Sequence, residues 1–356
     1  MSHVVYLLGA GFSAPLGLPV MRDFLLKSKD MFAADPKEYA SFRDIFALIN
    51  RMGSIQSYYQ ADLFNIEEIL SILEMDQQVE GKRSKRFAKY IADVVRFYTP
   101  PDPTADPPRF PGNWHERPMS NNMQWLPYFY FAASLLRIRM RQDLSNVNRT
   151  FPINPDDSNP NVYSLVTLNY DLIFEKLSQY LTNFFPNEGR LEFALCSEPV
   201  NAKNHHLVPL AKLHGSVDAD NIIAPTWNKS VARGIREAWQ AAHRLLSSAN
   251  EIRIVGYSLP VADAYIKYLL KSAVVTSPHL KQIDIICRDG DGSTRNRYQN
   301  FISFKYARFI SADIYDYLEF VKGETCTRGR MEDTSLAFNQ LESAHSDFFD
   351  QQGQPL

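Results

Sequence analysis

A glycine-rich turn directly after the first apolar run is the part of the sequence best suited to binding a ligand. The turn reads Gly9-Ala10-Gly11-Phe12-Ser13-Ala14 and follows the apolar run Val4 to Leu8. Glycines at such a position let the backbone turn tightly and approach a phosphate closely. Successive N–H groups, with a helix N-terminus beyond them, could hold a pyrophosphate. The turn therefore predicts a dinucleotide site, although by itself it is a weak signal.

An ordinary NAD-dependent dehydrogenase is disfavoured by the residues downstream of the turn. Such enzymes carry an acidic residue about 20 residues further on, at the end of a second strand, where it binds a ribose hydroxyl. The nearest acidic residue at that distance, Asp30, falls in a helical pattern. If the turn binds a dinucleotide, a different kind of site is therefore favoured.

Three further segments place polar side chains at or just after the ends of predicted strands. They read Thr167-Leu168-Asn169-Tyr170-Asp171, Lys212-Leu213-His214-Gly215-Ser216 and Gly256-Tyr257-Ser258-Leu259. Open α/β sheets bind ligands at the carboxyl ends of their strands. An amide such as that of Asn169 suits the positioning of a leaving group, and an imidazole with a pKa near 6.5 suits proton removal at neutral pH.

Each of these residues also has a purely structural interpretation. Asn169 and Asp171 could cap a helix that begins at Leu172. His214 lies between Leu213 and Gly215, and a single buried histidine in such a place is more often structural than catalytic. Only the combination of the four segments favours a functional site.

The four segments resemble, in the same order, the motifs of the sirtuin family. The run from Gly9 to Pro19 resembles the signature Gly-Ala-Gly-x-Ser-x-x-x-Gly-Ile-Pro. The later segments resemble Thr-Gln-Asn-Ile-Asp, the His-Gly segment and Gly-Thr-Ser-Leu. The resemblance covers only part of the chain, and it implies a site that takes NAD.

The resemblance also implies a role for each matching residue. Asn169 and Asp171 would line the nicotinamide–ribose pocket, and His214 would be the general base. The remaining matches are implied to contact the phosphates or the adenosine part of NAD, and they are Gly9, Ala10, Gly11, Ser13, Arg22, Gly256, Tyr257 and Ser258.

The chain departs from sirtuin deacylases in ways that favour hydrolysis of NAD. The family's zinc module has two Cys-x-x-Cys pairs after the histidine, whereas the three cysteines of this chain, Cys196, Cys287 and Cys326, are far apart. We therefore expect no zinc. The family's Asp-Phe, whose phenylalanine shields the reactive ribose carbon, is replaced by Val20-Met21, and its glutamine by Leu168.

With these departures, and with the segment Ala224 to Lys229, the chain resembles the bacterial sirtuin-like effectors of anti-phage defence. That resemblance implies an NAD glycohydrolase that depletes NAD during infection. It also implies a homo-oligomer and a separate regulatory partner, such as a HerA-type ATPase or an Argonaute-like protein. Two alternatives stay open: a module that binds NAD or ADP-ribose without turnover, and a protein deacylase or ADP-ribosyltransferase.

The elements between the motifs predict an α/β fold, a Rossmann-like parallel sheet flanked by helices. Short apolar runs without alternation are typical of strands buried on both faces. Helical patterns separate several of them, as in a parallel sheet. The runs are Val4 to Leu8, Val162 to Leu168, Leu207 to Leu213, Ile252 to Val255, Ile283 to Cys287 and Arg308 to Ile310; the helices are Leu172 to Phe185, Val231 to Ser248 and Ala262 to Val275.

Residues 1–24 and 156–322 are expected to form the NAD-binding core, 25–155 a large helical insertion between the first and second strands, and 323–356 a peripheral tail. Within the insertion, a capping box at Asn65 to Glu68 opens one helix, with Ile66, Ile69, Leu70 and Leu73 on one face. A second helix is predicted from Tyr128 to Asp143 and a proline-rich loop from Pro100 to Pro118. The tail holds one short predicted helix, Leu336 to His345.

Composition limits the classes of partner. The chain has 356 residues, 45% of them hydrophobic and 22% charged, with a net charge of −2. That balance gives no indication of direct nucleic-acid binding. No apolar stretch approaches the roughly 20 residues that span a bilayer. Met1 leads straight into a strand without a basic leader or cleavage signal, so we do not expect secretion. The three widely spaced cysteines fit a reducing cytosol, so we expect a cytoplasmic protein.

Overall fold

The fold is taken from a computed structural model of the chain. The structure describes residues 2–59, 84–103, 123–141, 153–155, 160–184, 192–195, 207–218, 233–261, 263–275, 279–331 and 335–356, with the single positions 66, 68, 69, 72, 222 and 277.

The main element is an eight-stranded sheet in the order β12-β9-β8-β7-β1-β4-β6-β5. Seven of its strands are parallel, and only β12 (Gln354–Pro355) pairs in the antiparallel sense, with β9. The parallel strands are β1 (His3–Leu8), β4 (Val162–Thr167), β5 (Glu192–Leu195), β6 (Leu207–Lys212), β7 (Glu251–Val255), β8 (Gln282–Ile286) and β9 (Ala307–Ile310). The predicted α/β class and all six predicted strands are confirmed.

Strand β1 lies at the centre of the sheet and is buried on both faces. Val4, Tyr6 and Leu8 belong to one hydrophobic cluster, whereas Val5 and Leu7 belong to another. Alternate side chains of a strand point to opposite faces, so helices must cover the sheet on both sides. This explains why the run has no polar alternation.

The order in which strands are added to the sheet changes side at β1. From β1 it continues to β4 and the strands beyond, and it then returns to the other side of β1 through β7. In open α/β sheets, ligands bind outside the carboxyl ends of the strands at such a switch point. Gly9 follows β1 and Gly256 follows β7, so both lie there.

Helices form both covering layers. The predicted helices after β4, before β7 and before β8 are confirmed within two residues at each end. The described helices are α1 (Ala10–Ser13), α2 (Met21–Ala34), α3 (Phe42–Met52), α4 (Ser84–Tyr98), α5 (Leu126–Leu135), α6 (Ile173–Phe184), α7 (Arg233–Ser247), α8 (Ala264–Val275), α9 (Ser293–Gln299), α10 (Ile314–Arg328) and α11 (Leu341–Gln352).

The region predicted as a helical insertion also contributes strands, which corrects the expectation of an all-helical segment. A second, four-stranded sheet has the order β10-β11-β2-β3, with β2 (Ile138–Arg141) and β3 (Ile153–Pro155) from the insertion. Its other strands are β10 (Arg330–Met331) and β11 (Ser335–Ala337). The single helix predicted over Tyr128 to Asp143 is wrong: Arg137, with φ at 50°, separates α5 from β2. The alternation Ile138-Arg139-Met140-Arg141 is the strand signal.

The tail is not peripheral, which is a second correction. The predicted helix Leu336 to His345 is instead strand β11 followed by α11, whose residues Leu341, His345, Phe348 and Phe349 are buried. Glu342 of α11 accepts hydrogen bonds from Tyr163 of β4 and Arg253 of β7. His345 lies 2.9 Å from Asp284 of β8. The tail therefore completes one covering layer of the main sheet.

Parts of the insertion prediction lie outside the described residues, namely Asn65, Leu70, Leu73 and most of Pro100 to Pro118. The segment Ala224 to Lys229, which belongs to the predicted core, also lies outside them. Cys196 lies outside them as well. Ile66 and Ile69 are both buried. Among the residues that the structure describes, no helix combines the length and apolar character that crossing a bilayer requires.

Candidate functional site

A large cavity of about 1470 Å³ opens at the carboxyl ends of β1, β4, β7, β8 and β9. It is larger than the usual 300–1,000 Å³ of a small-molecule pocket, and it lies where this type of sheet binds ligands. Eight of the eleven residues predicted for the site line it: Gly9, Ala10, Gly11, Arg22, Asn169, Gly256, Tyr257 and Ser258. The other three, Ser13, Asp171 and His214, are buried behind its wall.

The glycines after β1 and β7 pack directly against each other. A Cβ on Gly9 would lie 2.6 Å from the carbonyl oxygen of Gly256, and a Cβ on Gly11 would lie 2.9 Å from both that oxygen and the Cα of Gly256. Gly256 has φ at +70°, and a Cβ there would lie 2.3 Å from the amide nitrogen of Phe12. These glycines are thus needed for contact between the two turns, whether or not a ligand is bound.

Most amides of the turn are already used within the protein. Gly9 N–H donates to Val255 O at 3.0 Å, and Gly11 N–H donates to Gly256 O at 2.9 Å. Phe12 N–H donates back to Gly9 O at 2.9 Å. The expected row of amides around a pyrophosphate is therefore reduced in this conformation. Helix α1, which lies within the turn, has only four residues.

Buried aromatic side chains pack against Phe12 of the turn. Phe12 is buried and stacks on Phe174 of α6, with ring centroids 5.6 Å apart, and it meets Tyr128 of α5 edge to face. The Tyr128 hydroxyl donates to Phe12 O at 2.6 Å. Burial raises the pKa of Tyr128 well above its ordinary value, which keeps this donor protonated. Helix α5 of the insertion therefore supports the site directly.

A chain of hydrogen bonds connects Asn169, Ser13 and Asp171. Asn169 Nδ2 donates to Gly9 O and to Ser13 Oγ, each at 2.9 Å. Ser13 Oγ in turn donates to Asp171 Oδ2 at 2.6 Å. Because the amide has two N–H donors and both are used, its Oδ1 is the atom that remains to meet a ligand. The predicted residues Ser13, Asn169 and Asp171 are thus brought together, with only Asn169 at the cavity surface.

Asp171 also has the capping role that the sequence left open. Its Oδ1 accepts from the backbone N–H of Ile173, the first residue of α6, at 3.2 Å. Its two oxygens therefore serve different purposes, one at the helix start and one toward Ser13. Asp171 therefore caps the helix and hydrogen-bonds to Ser13 at the same time.

His214 lies deeper than its predicted role requires. It is 1% exposed and does not line the cavity, and its ring centroid lies 5.8 Å from that of Tyr170. The loop that carries it is tied to the loop after β4, since Leu213 N–H donates to Thr167 O and Val217 N–H donates to Tyr170 O. His214 is therefore adjacent to the Asn169–Asp171 loop but separated from the cavity surface.

Lys212, which was not among the residues predicted from the sequence, bridges the same two loops. Its buried ammonium donates to Asp171 O, to Glu175 Oε1 at 2.7 Å and to Ser216 Oγ at 3.0 Å. Burial raises the pKa of Glu175, an effect that the Lys212 charge opposes. A lysine at the end of a buried strand, two residues before a candidate histidine, was the signal available in the sequence.

The far wall of the cavity was also not predicted from the sequence. It consists of the segments after β8 and β9, which include Arg288, Asp289, Arg297, Asp313 and Asp316. The same strand-end rule that selected the four motifs would have selected these positions. They form no recognisable motif, so no family resemblance pointed to them.

Hydrogen bonds order this wall around the turn after β7. Arg297 Nε donates to Ser258 O at 2.9 Å. The hydroxyl of Tyr298 donates to Tyr257 O at 2.7 Å, and the hydroxyl of Tyr257 donates to Asp263 Oδ2 at 2.8 Å. The predicted residues Tyr257 and Ser258 are therefore fixed by helix α9.

The described residues contain no group of three or more histidine, cysteine, aspartate or glutamate side chains placed to hold a metal ion. Cys287 and Cys326 are free thiols. Burial raises the pKa of Cys287 to about 12, so this thiol at the cavity wall stays protonated at neutral pH.

No family model matches the chain, and no curated protein does. Among solved structures, the chain is similar to Sir2Tm bound to a propionylated peptide, with 12% identity, 90% of this chain and 92% of that chain covered, and a TM-score of 0.37. Sir2 bound to an acetylated peptide gives 12% identity, 90% and 92% coverage, and a TM-score of 0.36. Sir2 in complex with an inhibitor, 2′-O-acetyl-ADP-ribose and a deacetylated peptide gives 13% identity, coverage of 90% of this chain and 93% of that chain, and a TM-score of 0.30. At these scores, the fold assignment rests on the strand order and the parallel pairing themselves.

Proposed function

We propose that the protein is an NAD glycohydrolase that cleaves NAD to nicotinamide and ADP-ribose. The observation that carries this proposal is the position of Asn169, which lines the cavity beside the glycine turn with its amide oriented by Gly9 and Ser13. Such an orientation suits an acceptor for the carboxamide of nicotinamide or for a ribose hydroxyl. The four ordered motifs support the same substrate.

The reaction needs few groups from the protein. The bond between the nicotinamide nitrogen and the ribose carbon breaks, and the bonding electrons leave with nicotinamide. The oxygen of water then bonds to that carbon, and its proton passes to a base. Asn169 Oδ1 would hold the substrate, while the Ser13–Asp171 pair keeps the amide in one orientation. In our proposal His214 is the base, and Arg22 faces a phosphate.

The test is a nicotinamide-release assay on the full chain, with and without the product of the neighbouring open reading frame. Asn169→Ala should lower the rate on the order of a hundredfold, because a misplaced substrate loses most of the benefit of orientation. His214→Ala should do the same. Release by His214→Ala at the wild-type rate would contradict the assigned base, and no release from wild-type protein under any condition would contradict hydrolysis itself.

A second candidate function is a module that binds NAD or ADP-ribose without turnover. The burial of His214, 1% exposed and away from the cavity surface, favours it, since a base must come within hydrogen-bond reach of the water it activates. Tight NAD binding in calorimetry, without release of nicotinamide in every partner state, would select this candidate.

By resemblance to the anti-phage effectors, we propose that NAD depletion serves defence in the cytoplasm, through a homo-oligomer and a separate partner such as a HerA-type ATPase or an Argonaute-like protein. Size-exclusion chromatography with light scattering tests the oligomer. Protein deacylation or ADP-ribosylation would instead appear as NAD-dependent loss of an acyl group from a peptide, or as transfer of label to protein.

A further inference from the structure

Lys212 occupies an unusual place for a buried charge. Its side chain is only 4% exposed, and its three ammonium donors are used on three different segments. One acceptor, Asp171 O, belongs to the loop after β4. The second, Glu175, lies in the first turn of α6, and the third, Ser216, lies two residues past His214.

The ammonium thereby joins the two halves of the proposed catalytic group. Asp171 holds Ser13, which holds Asn169 at the cavity surface. Ser216 belongs to the turn that carries His214. Two backbone hydrogen bonds, Leu213 N–H to Thr167 O and Val217 N–H to Tyr170 O, already link the loops at their edges. Lys212 adds side-chain hydrogen bonds to Asp171 O and Glu175 to these backbone links.

We infer that Lys212 is a positioning residue, which sets the distance between the Asn169–Asp171 loop and the His214 turn. This inference rests on the proposed function, because both loops are assigned to NAD there. A purely stabilising role is the competing explanation. The two differ in a testable way, since a buried ion pair can often be replaced by apolar side chains of similar volume without loss of stability.

The main experiment is therefore the paired replacement Lys212→Met with Glu175→Met in the full chain. If Lys212 positions the loops, the rate constant kcat for nicotinamide release should fall at least about tenfold, with KM for NAD changed less than about threefold. The melting temperature should change little. Lys176→Met is the matched control, because Lys176 lies next to Glu175 on α6 but contacts Pro100 O and Asp102 instead. It should keep the wild-type kcat.

If the paired replacement does not fold, a milder variant, Ser216→Ala, still tests the inference. Ser216→Ala leaves the Lys212–Glu175 pair intact and removes the hydrogen bond from Lys212 to the His214 turn. It should slow release severalfold. A wild-type kcat in Ser216→Ala, or in a folded paired variant, would overturn the inference.

Hydrogen exchange separates this inference from the proposed function. Amides of residues 212–218 should exchange faster in both variants than in the wild type, while those of β7 and β8 should not change. If wild-type protein releases no nicotinamide, the proposed hydrolysis fails and exchange alone decides: unchanged protection in 212–218 would then overturn the positioning role.

Discussion

Ser13 Oγ donates a hydrogen bond to Asp171 Oδ2 across 2.6 Å, and it thereby joins residues separated by 158 positions in the chain. The same oxygen accepts from Asn169 Nδ2 at 2.9 Å. Ser13 thus links the turn after β1 to the loop after β4. Neither Ser13 nor Asp171 lines the cavity, so their contribution to chemistry passes through Asn169.

Ser13→Ala should reduce nicotinamide release about tenfold, because the Asn169 amide loses an acceptor and can rotate away from its substrate-holding orientation. Ser134→Ala is a suitable control: its buried hydroxyl donates to Tyr130 O within α5, away from the cavity. Equal rates for the two variants in the release assay would disprove the role of the Ser13 link.

Gly256→Ala should destabilise the protein far more than Gly292→Ala. Both glycines have positive φ, +70° and +76°, so alanine costs about 1–2 kcal/mol at either position. At Gly256 the new Cβ would also lie 2.3 Å from Phe12 N, whereas nothing lies within 4 Å at Gly292. Urea denaturation measures the difference, and similar midpoints for the two variants would mean that the turns do not pack as described.

Glu342→Gln tests the attachment of α11. Arg253 of β7 is 3% exposed, and it lies 2.5 Å from Glu342 and 3.0 Å from Glu251. Removing one partner of a buried cation should cost about 3 kcal/mol of unfolding free energy. Glu319→Gln removes the partner of Lys322 on the surface of α10 and should cost less than about 1 kcal/mol. If both variants unfold at the wild-type denaturant concentration, α11 is not held by this pair.

Stability should fall as the pH is lowered from 7 to 5, partly because of His345. Burial, together with the nearby charge of Arg253, lowers its pKa from 6.5 to about 4, although Asp284 acts in the opposite direction. Between pH 6.5 and about pH 4, His345 is protonated in the unfolded chain but neutral in the folded protein. Protonation therefore favours the unfolded state, and the unfolding free energy falls by roughly 3 kcal/mol over that interval.

The measurement is the unfolding free energy of wild type and His345→Gln at several pH values. Burial also lowers the pKa of His3, which acts in the same direction, so the difference in slope between the two proteins is the relevant quantity. The carboxylates of Asp284 and Glu342, whose pKa values are also lowered, would respond below this range. Identical slopes would place His345 in a more exposed setting than the one described.

The sequence was most informative where local pattern and tertiary environment agree. Strand β1 is recognisable because burial on both faces requires an unbroken apolar run. The sequence singled out the glycines by residue type, but it did not show why glycine is needed there. Gly256 packs against Phe12, and a contact between residues so far apart in the chain cannot be predicted from a local pattern. Asn169 lies at the cavity because strand ends converge in a parallel sheet, and its role toward a ligand stays a prediction.

Other features depend on contacts that no local pattern contains. The depth of His214 is set by Tyr170 and the loops around it. The tail was expected to be peripheral because it is polar, yet the buried His345 and the partly buried Glu342 pack against charged partners on strands β8 and β7. Arg137 follows the end of α5 with a positive φ, a conformation that an arginine side chain does not predict.

The central position of β1 has a consequence for synthesis of the chain on the ribosome. Its neighbours in the sheet are β4, which begins at Val162, and β7, which begins at Glu251. At about 5–20 residues per second, the ribosome needs on the order of ten seconds to reach the first of these partners. Throughout that interval the apolar run Val4 to Leu8 has no strand to pair with. We therefore expect this segment, whose five side chains are all fully buried in the folded protein, to be contacted by a holding chaperone on the nascent chain.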